Sequence, residues 1–142
     1  MKDPYDLERF IKAQDHSYET ALNEIKNGRK QSHWMWYIFP QFKGLGQSAT
    51  SKQYAIKSKE EAKAFFDHAI LGPRLVEITN ALLELKGLTA HAIFGSPDDL
   101  KLKSCMTLFT AIQEKNTCFQ EVLDKYYDGK QDDKTLKLLE EN

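Results

Sequence analysis

Cysteine is scarce in this chain: only Cys105 and Cys118 occur in 142 residues. Two thiols make no disulfide framework, and such a chain is expected in the reducing cytoplasm. There is no CxxC, and His16, His33, His68 and His91 show neither HxxxH nor HExxH spacing, so no metal site is expected. The GxSxG elbow, the GxxxxGK[ST] phosphate loop and the EF-hand loop are missing too. Long apolar runs are also lacking. The longest mostly apolar stretch, Trp34 to Phe39, is far too short for a bilayer. The opening residues MKDPYDLERF have no apolar run, so neither a signal peptide nor a membrane association is expected. Charge of one sign is not in excess. The formal net charge of −1 argues against a dedicated nucleic-acid binder, which carries a clear basic surplus; a local basic patch survives that argument.

Hydrophobic residues make up 41% and charged residues 29%, a balance that supports a core rather than disorder. The length suits one domain, and residues 1–142 are read as a single helical unit. Helix signals then recur along the chain. Asp3-Pro4 reads as an N-cap followed by a first-turn proline, with Leu7, Phe10, Ile11 and Gln14 on one face. Tyr18, Ala21, Leu22 and Ile25 follow the i, i+3, i+4, i+7 rule, and Gly28 supplies a stop. Trp34 to Phe39 favours a short helix ended by Pro40. Gln41 to Tyr54 reads as a long loop holding at most one helical turn. Ser58-Lys59-Glu60-Glu61 has the form of a capping box. Pro73 opens a helix lined by Leu75, Ile78, Leu82 and Leu85. Ser96-Pro97-Asp98-Asp99 combines a cap, a first-turn proline and two acids at the positive end of the helix dipole. Thr117 to Tyr127 and Asp132 to Leu139 complete an all-α chain of about seven or eight short helices, with no convincing period-2 strand.

One segment carries more chemistry than a core requires. Gly28 to Ser48, GRKQSHWMWYIFPQFKGLGQS, concentrates cations, two tryptophans, a histidine, amides and two glycines. Trp and Tyr demand a polar partner when buried, so a chain that wants only volume uses Leu or Phe. Trp34 or Trp36 is a candidate to stack a ring. Arg29, Lys30, Arg74 and Lys101 are candidates to hold an anion. Gln41, Gly44, Gly46, Ser48 and Ser104 are further candidate ligand-binding residues, the glycines because they allow close backbone approach. His33 is the candidate general acid/base, since imidazole titrates near neutral pH. Core filling is the competing account for Trp34, Met35, Ile38 and Phe39. A solvated helix face is the competing account for Lys103. Arg74 sits in the first turn of its helix, where a cation opposes the dipole, so a carboxylate or a ligand is expected to hold it. The sequence shows no convincing nucleophile or carboxylate pair to work with His33.

The string HWMWYIFPQFKGLGQS, with Phe10…Ala13-Gln14, Gly28-Arg29-Lys30, Leu71-Gly72-Pro73-Arg74, Ile93-Phe94-Gly95, Asp98, Lys101 and Ser104 to Phe109, resembles an uncharacterised bacterial family. That family is catalogued as a domain of unknown function, and some members bear the label "calpastatin". The resemblance runs from Leu7 to Leu139 and implies an all-helical single domain. It implies no activity, no cofactor and no catalytic residues. A calpastatin is a disordered inhibitor, which the capped helices here do not match. The sequence thus leads to a pocket for an anionic or nucleotide-like small ligand. The competing class is an interaction or structural protein whose aromatic segment is core and whose helical face docks a partner.

Overall fold

Asp3 starts the helical part of the chain, but later than Pro4 suggests. Residues 3–6 form turns, with Asp6 at φ 52°. The Asp3 carboxylate reaches across them to accept from Leu7 N at 2.7 Å and Glu8 N at 2.9 Å. Helix α1 therefore runs Glu8–Asp15 and α2 Tyr18–Lys26. Gly28, at φ 79°, ends the second as expected. The computed structural model describes residues 3–113 and 117–141.

The aromatic run forms a single turn, α3 (Met35–Ile38), and the long loop holds one more, α4 (Ala49–Gln53). The loop ends are tied by an isolated parallel bridge, with Lys43 N donating to Ile56 O and Ile56 N to Gln41 O, both at 2.9 Å. Helix α5 (Lys59–Asp67) starts on Ser58, whose Oγ accepts from Glu61 N at 3.0 Å. Glu61 reaches back to Lys57 N at 3.0 Å, a capping box shifted by one residue. Helix α6 (Leu71–Glu84) begins two residues ahead of Pro73, because His68 Nδ1 accepts from Ile70 N and Leu71 N.

Helix α7 (Ala90–Phe94) has no periodic signature and owes its start to Thr89, whose Oγ1 accepts from Ala92 N. Helix α8 spans Asp98–Ala111. The expected Ser96 cap is not formed: Pro97 occupies the cap position, after a cis Ser96–Pro97 bond, with no side-chain cap. The first turn is held instead by the carbonyls of Gly95 and Pro97, which accept from Asp99 N, Leu100 N and Lys101 N. Thr117 and Asp132 cap α9 (Cys118–Tyr127) and α10 (Asp133–Glu140). The described residues thus hold ten helices and no strand; the count exceeds the expected seven or eight because one-turn pieces such as α4 and α7 are too short to show a period.

Helix α8 occupies the centre. Every residue from Ser104 to Phe109 is buried, together with Leu102, as befits a helix packed on all sides. Its neighbours are α5, α7, α9 and α10, while α6 packs on α2, α5 and α9. An aromatic chain joins these layers: Phe10 meets Phe65 edge-on at 5.0 Å, Phe65 meets Phe109, and Phe109 meets Phe119, each pair at 5.7 Å. Such ring pairs add about 0.5–1.5 kcal/mol each beyond buried area. Ser104, a candidate ligand-binding residue, is among the buried side chains of α8. Ser104 Oγ donates to Leu100 O at 3.2 Å and Thr107 Oγ1 to Lys103 O at 2.8 Å. Both are core hydroxyls that donate to their own helix, and Thr107 Oγ1 also accepts from Asp132 N at 2.8 Å. The cysteines are free, and burial pushes the Cys105 thiol well up and the Cys118 thiol to about 11. No helix among the described residues is long and apolar enough to cross a membrane.

Candidate functional site

One carboxylate organises the segment after Gly28. Glu24, on α2, accepts from Gln31 N at 2.8 Å, Ser32 N at 3.0 Å, Ser32 Oγ at 2.6 Å and Trp34 Nε1 at 2.9 Å. Burial would raise its pKa, but these four bonds outweigh it and bring the carboxyl down to about 2. Lys30 N donates to Ile93 O at 2.7 Å, fastening the same loop to α7. The loop is therefore rigid by construction, and Lys30 has a defined direction.

Lys30 points at the start of α8. Its Nζ donates to Ser32 O at 2.6 Å and lies 2.8 Å from Asp98 Oδ2 and 5.0 Å above the Trp34 ring. Lys101, one turn along α8, places its Nζ 3.0 Å from Asp98 Oδ1 and 4.5 Å above the Trp36 ring. Burial raises the Asp98 pKa, yet the hydrogen bonds and charges of Lys30 and Lys101 prevail and lower it. The result is two ammonium groups on one carboxylate, a local surplus of one positive charge, each cation seated on an indole. His33, Tyr37 and Thr50 complete the wall of a small cleft of about 130 Å³. His33 is exposed, so its ring meets solvent at the cleft mouth.

Trp36 also forms a wall of a second cavity of about 300 Å³ that includes Gln41, Phe42, Gly44 and Gly46. Gly46 is required there: a Cβ would fall 2.7 Å from Trp36 Cη2 and 2.5 Å from Ser51 Cβ. Gln41 is buried at 3% exposure, and its Nε2 has no hydrogen-bond partner among the described residues. A buried amide donor without a partner costs about 1–3 kcal/mol.

The sequence candidates divide accordingly. Lys30, His33, Trp34, Trp36 and Lys101 share the cleft, and Gln41, Gly44 and Gly46 share the cavity across Trp36. Trp34 is 1% exposed and committed to Glu24, so it is floor rather than stacking surface; Trp36, half-buried, is the accessible indole. Ser48 is elsewhere employed: it caps α4, its Oγ accepting from Ser51 N at 3.1 Å. Ser104 is core, as described. Arg74 is absent from both linings and lies against α1 and α2, near Gln14 and Asp15 at 3.3 and 3.4 Å and over the Tyr18 ring. Its unfavourable helix position is answered by a carboxylate. Arg29 is exposed. In the sequence Asp98 reads as a dipole acid and Glu24 carries no signal of its own; the i, i+3 spacing of Asp98 and Lys101 is the pattern that pairs them.

A larger cavity of about 460 Å³ lies between α5, the end of α8 and α10. Its charged lining residues, Lys59, Glu60, Lys63 and Glu140, are all exposed, so it lacks a buried polar group to orient a ligand. No group of three or more His, Cys, Asp or Glu suited to a metal occurs among the described residues.

No curated protein matches the chain. A solved structure does: the conserved hypothetical protein Rv1873 from Mycobacterium tuberculosis. It is 47% identical, covers 96% of this chain and 98% of its own, and superposes with a TM-score of 0.95. A likeness of that extent, together with a family model that matches residues 4–139, places the chain in a family: it belongs to the protein of unknown function family DUF1810.

Proposed function

We propose that the Lys30–Asp98–Lys101 cleft binds the anionic group of a small, nucleotide-like molecule. The observation that carries this reading is the sharing of one carboxylate by two lysines, one of which lies over a half-exposed tryptophan. An ammonium has three donors. Asp98 and Ser32 O account for three of the six on the two lysines among the described residues, and a phosphate or carboxylate would take up the others. His33 lines the same cleft and is exposed to solvent. Binding rather than turnover is the reading proposed, because it needs only the two cations and the indole already gathered in the cleft.

Isothermal titration with inorganic phosphate tests the reading. The native protein binds phosphate, with affinity that falls as salt is added. Lys101→Met lowers that affinity at least roughly tenfold, while its melting temperature stays within about 2 °C, since a partly exposed ion pair contributes little. No phosphate binding, or equal binding by both proteins, overturns it and favours the partner-docking alternative.

A further inference from the structure

We infer that the cavity on the other side of Trp36 receives the planar ring of a nucleoside monophosphate, with the Gln41 amide as the residue that determines specificity. The inference rests on the anion reading of the Lys30–Lys101 cleft. Trp36 is common to both spaces, so a ligand anchored by phosphate at one side has its uncharged part beside the other. Helix α4 follows the same division: Thr50 lines the cleft, and Ser51 and Lys52 line the cavity.

Three features of the cavity point to a ring rather than to an aliphatic tail. The first is the Gln41 Nε2 donor, buried and without a partner among the described residues. An apolar occupant would leave it unsatisfied, whereas a ring nitrogen or exocyclic carbonyl would accept from it. The second is shape. Phe42 and Trp36 are its aromatic lining residues, and the bare Gly46 lets the loop close against the Trp36 indole. At about 300 Å³ the space stands at the small end of ligand pockets, which run from about 300 to 1,000 Å³. The third is charge. Lys43, Lys52 and Lys57 surround the cavity, all exposed, and no acidic residue lines it. A chain of net charge −1 has therefore gathered cations around its accessible tryptophan, which suits a ring that arrives with a phosphate attached.

Calorimetric titration of the full-length native protein with inorganic phosphate, ribose 5-phosphate and the four common nucleoside 5′-monophosphates separates the terms. At least one nucleoside monophosphate is expected to bind roughly tenfold or more tightly than ribose 5-phosphate. Gln41→Met removes the donor at similar volume. It is expected to erase that margin, to leave phosphate affinity unchanged, and to leave the melting temperature unchanged or raised, because an orphan amide has gone. A nucleotide margin that survives in Gln41→Met overturns the inference. So does the absence of any margin in the native protein, a result that depends on no variant folding. If phosphate binds in a Lys101-dependent way but no nucleotide exceeds ribose 5-phosphate, this inference alone fails. If nothing binds, the anion reading fails with it.

Discussion

Two cationic nodes in this protein look alike in composition and differ in completeness. Arg9, on α1, uses all five of its donors. Nε reaches Gln53 O at 2.7 Å; Nη1 reaches Tyr5 O at 2.6 Å and Asp6 O at 2.8 Å; Nη2 reaches Ala55 O at 2.9 Å and Glu61 Oε2 at 2.7 Å. The guanidinium also lies 4.4 Å over the Phe10 ring. This node staples α1, the loop after α4 and α5 into one body, and it needs nothing more. The Lys30–Asp98–Lys101 node stacks its cations on rings in the same way but is short of acceptors and carries net charge. A saturated node is architecture. An unsaturated one, held rigid by Glu24 and opening on a cleft, is suited to recognition.

The comparison breaks most visibly at Arg9. Arg9→Met leaves the Glu61 carboxylate, whose side chain is 3% exposed, without its charge partner. Losing one member of a buried pair costs about 3–5 kcal/mol, so the melting temperature should fall by more than roughly 10 °C in calorimetry. A fall of only a degree or two would mean the node is not the staple described.

Acid sharpens the contrast between the frame and the open node. The Glu24 carboxyl titrates at about 2, below its ordinary 4.5, so the unfolded chain binds its proton first. Its contribution is complete above about pH 4.5 and is lost as pH falls toward 2. Melting temperatures measured across that window should drop steeply for the native protein and less steeply for Glu24→Gln, which starts lower at neutral pH. Parallel curves would remove Glu24 from its place as the anchor of the Lys30 loop.

The smallest change in stability carries the most discriminating sign. Asp98→Asn weakens one partly exposed ion pair and one whose Lys30 side chain is only 8% exposed. It should cost about 1–3 kcal/mol, less than Arg9→Met because the Asn carbonyl still accepts from a lysine. Yet it removes the carboxylate that competes with an incoming anion, so phosphate affinity measured by titration should rise by roughly threefold or more. An affinity that falls together with stability would make this node structural, like that of Arg9.

The all-helical fold was legible because capping and periodicity are local. Ser58, Thr117 and Asp132 cap the helices their sequence positions announce, and Gly28 stops α2 where a left-handed residue is needed. The same locality explains the misses. Asp3 caps over an intervening turn, and Ser96 yields to Pro97 because backbone carbonyls already hold the first turn of α8. Of the candidates in the dense stretch from Gly28 to Ser48, Lys30, His33, Trp34 and Trp36 line one cleft with Lys101 of α8, while Gln41 lines the neighbouring cavity and Ser48 lines neither.

By itself the sequence determined the helical class, most helix starts and the stretch in which polar and aromatic residues are too many for a core. Those properties depend on neighbours within a few positions along the chain. Only the tertiary structure decided which of the polar residues are spent internally. Ser104 turns inward on a helix packed from every side, Ser48 serves a cap, and Arg74 lies against α1 and α2. Trp34 gives its N–H to Glu24, while Trp36 keeps a face in solvent. The bonds of Ser104, Ser48 and Trp34 reach no more than ten residues along the chain. But which of these side chains is buried, and that Arg74 meets Asp15 from 59 residues away, is set by packing between distant elements, which no local pattern encodes.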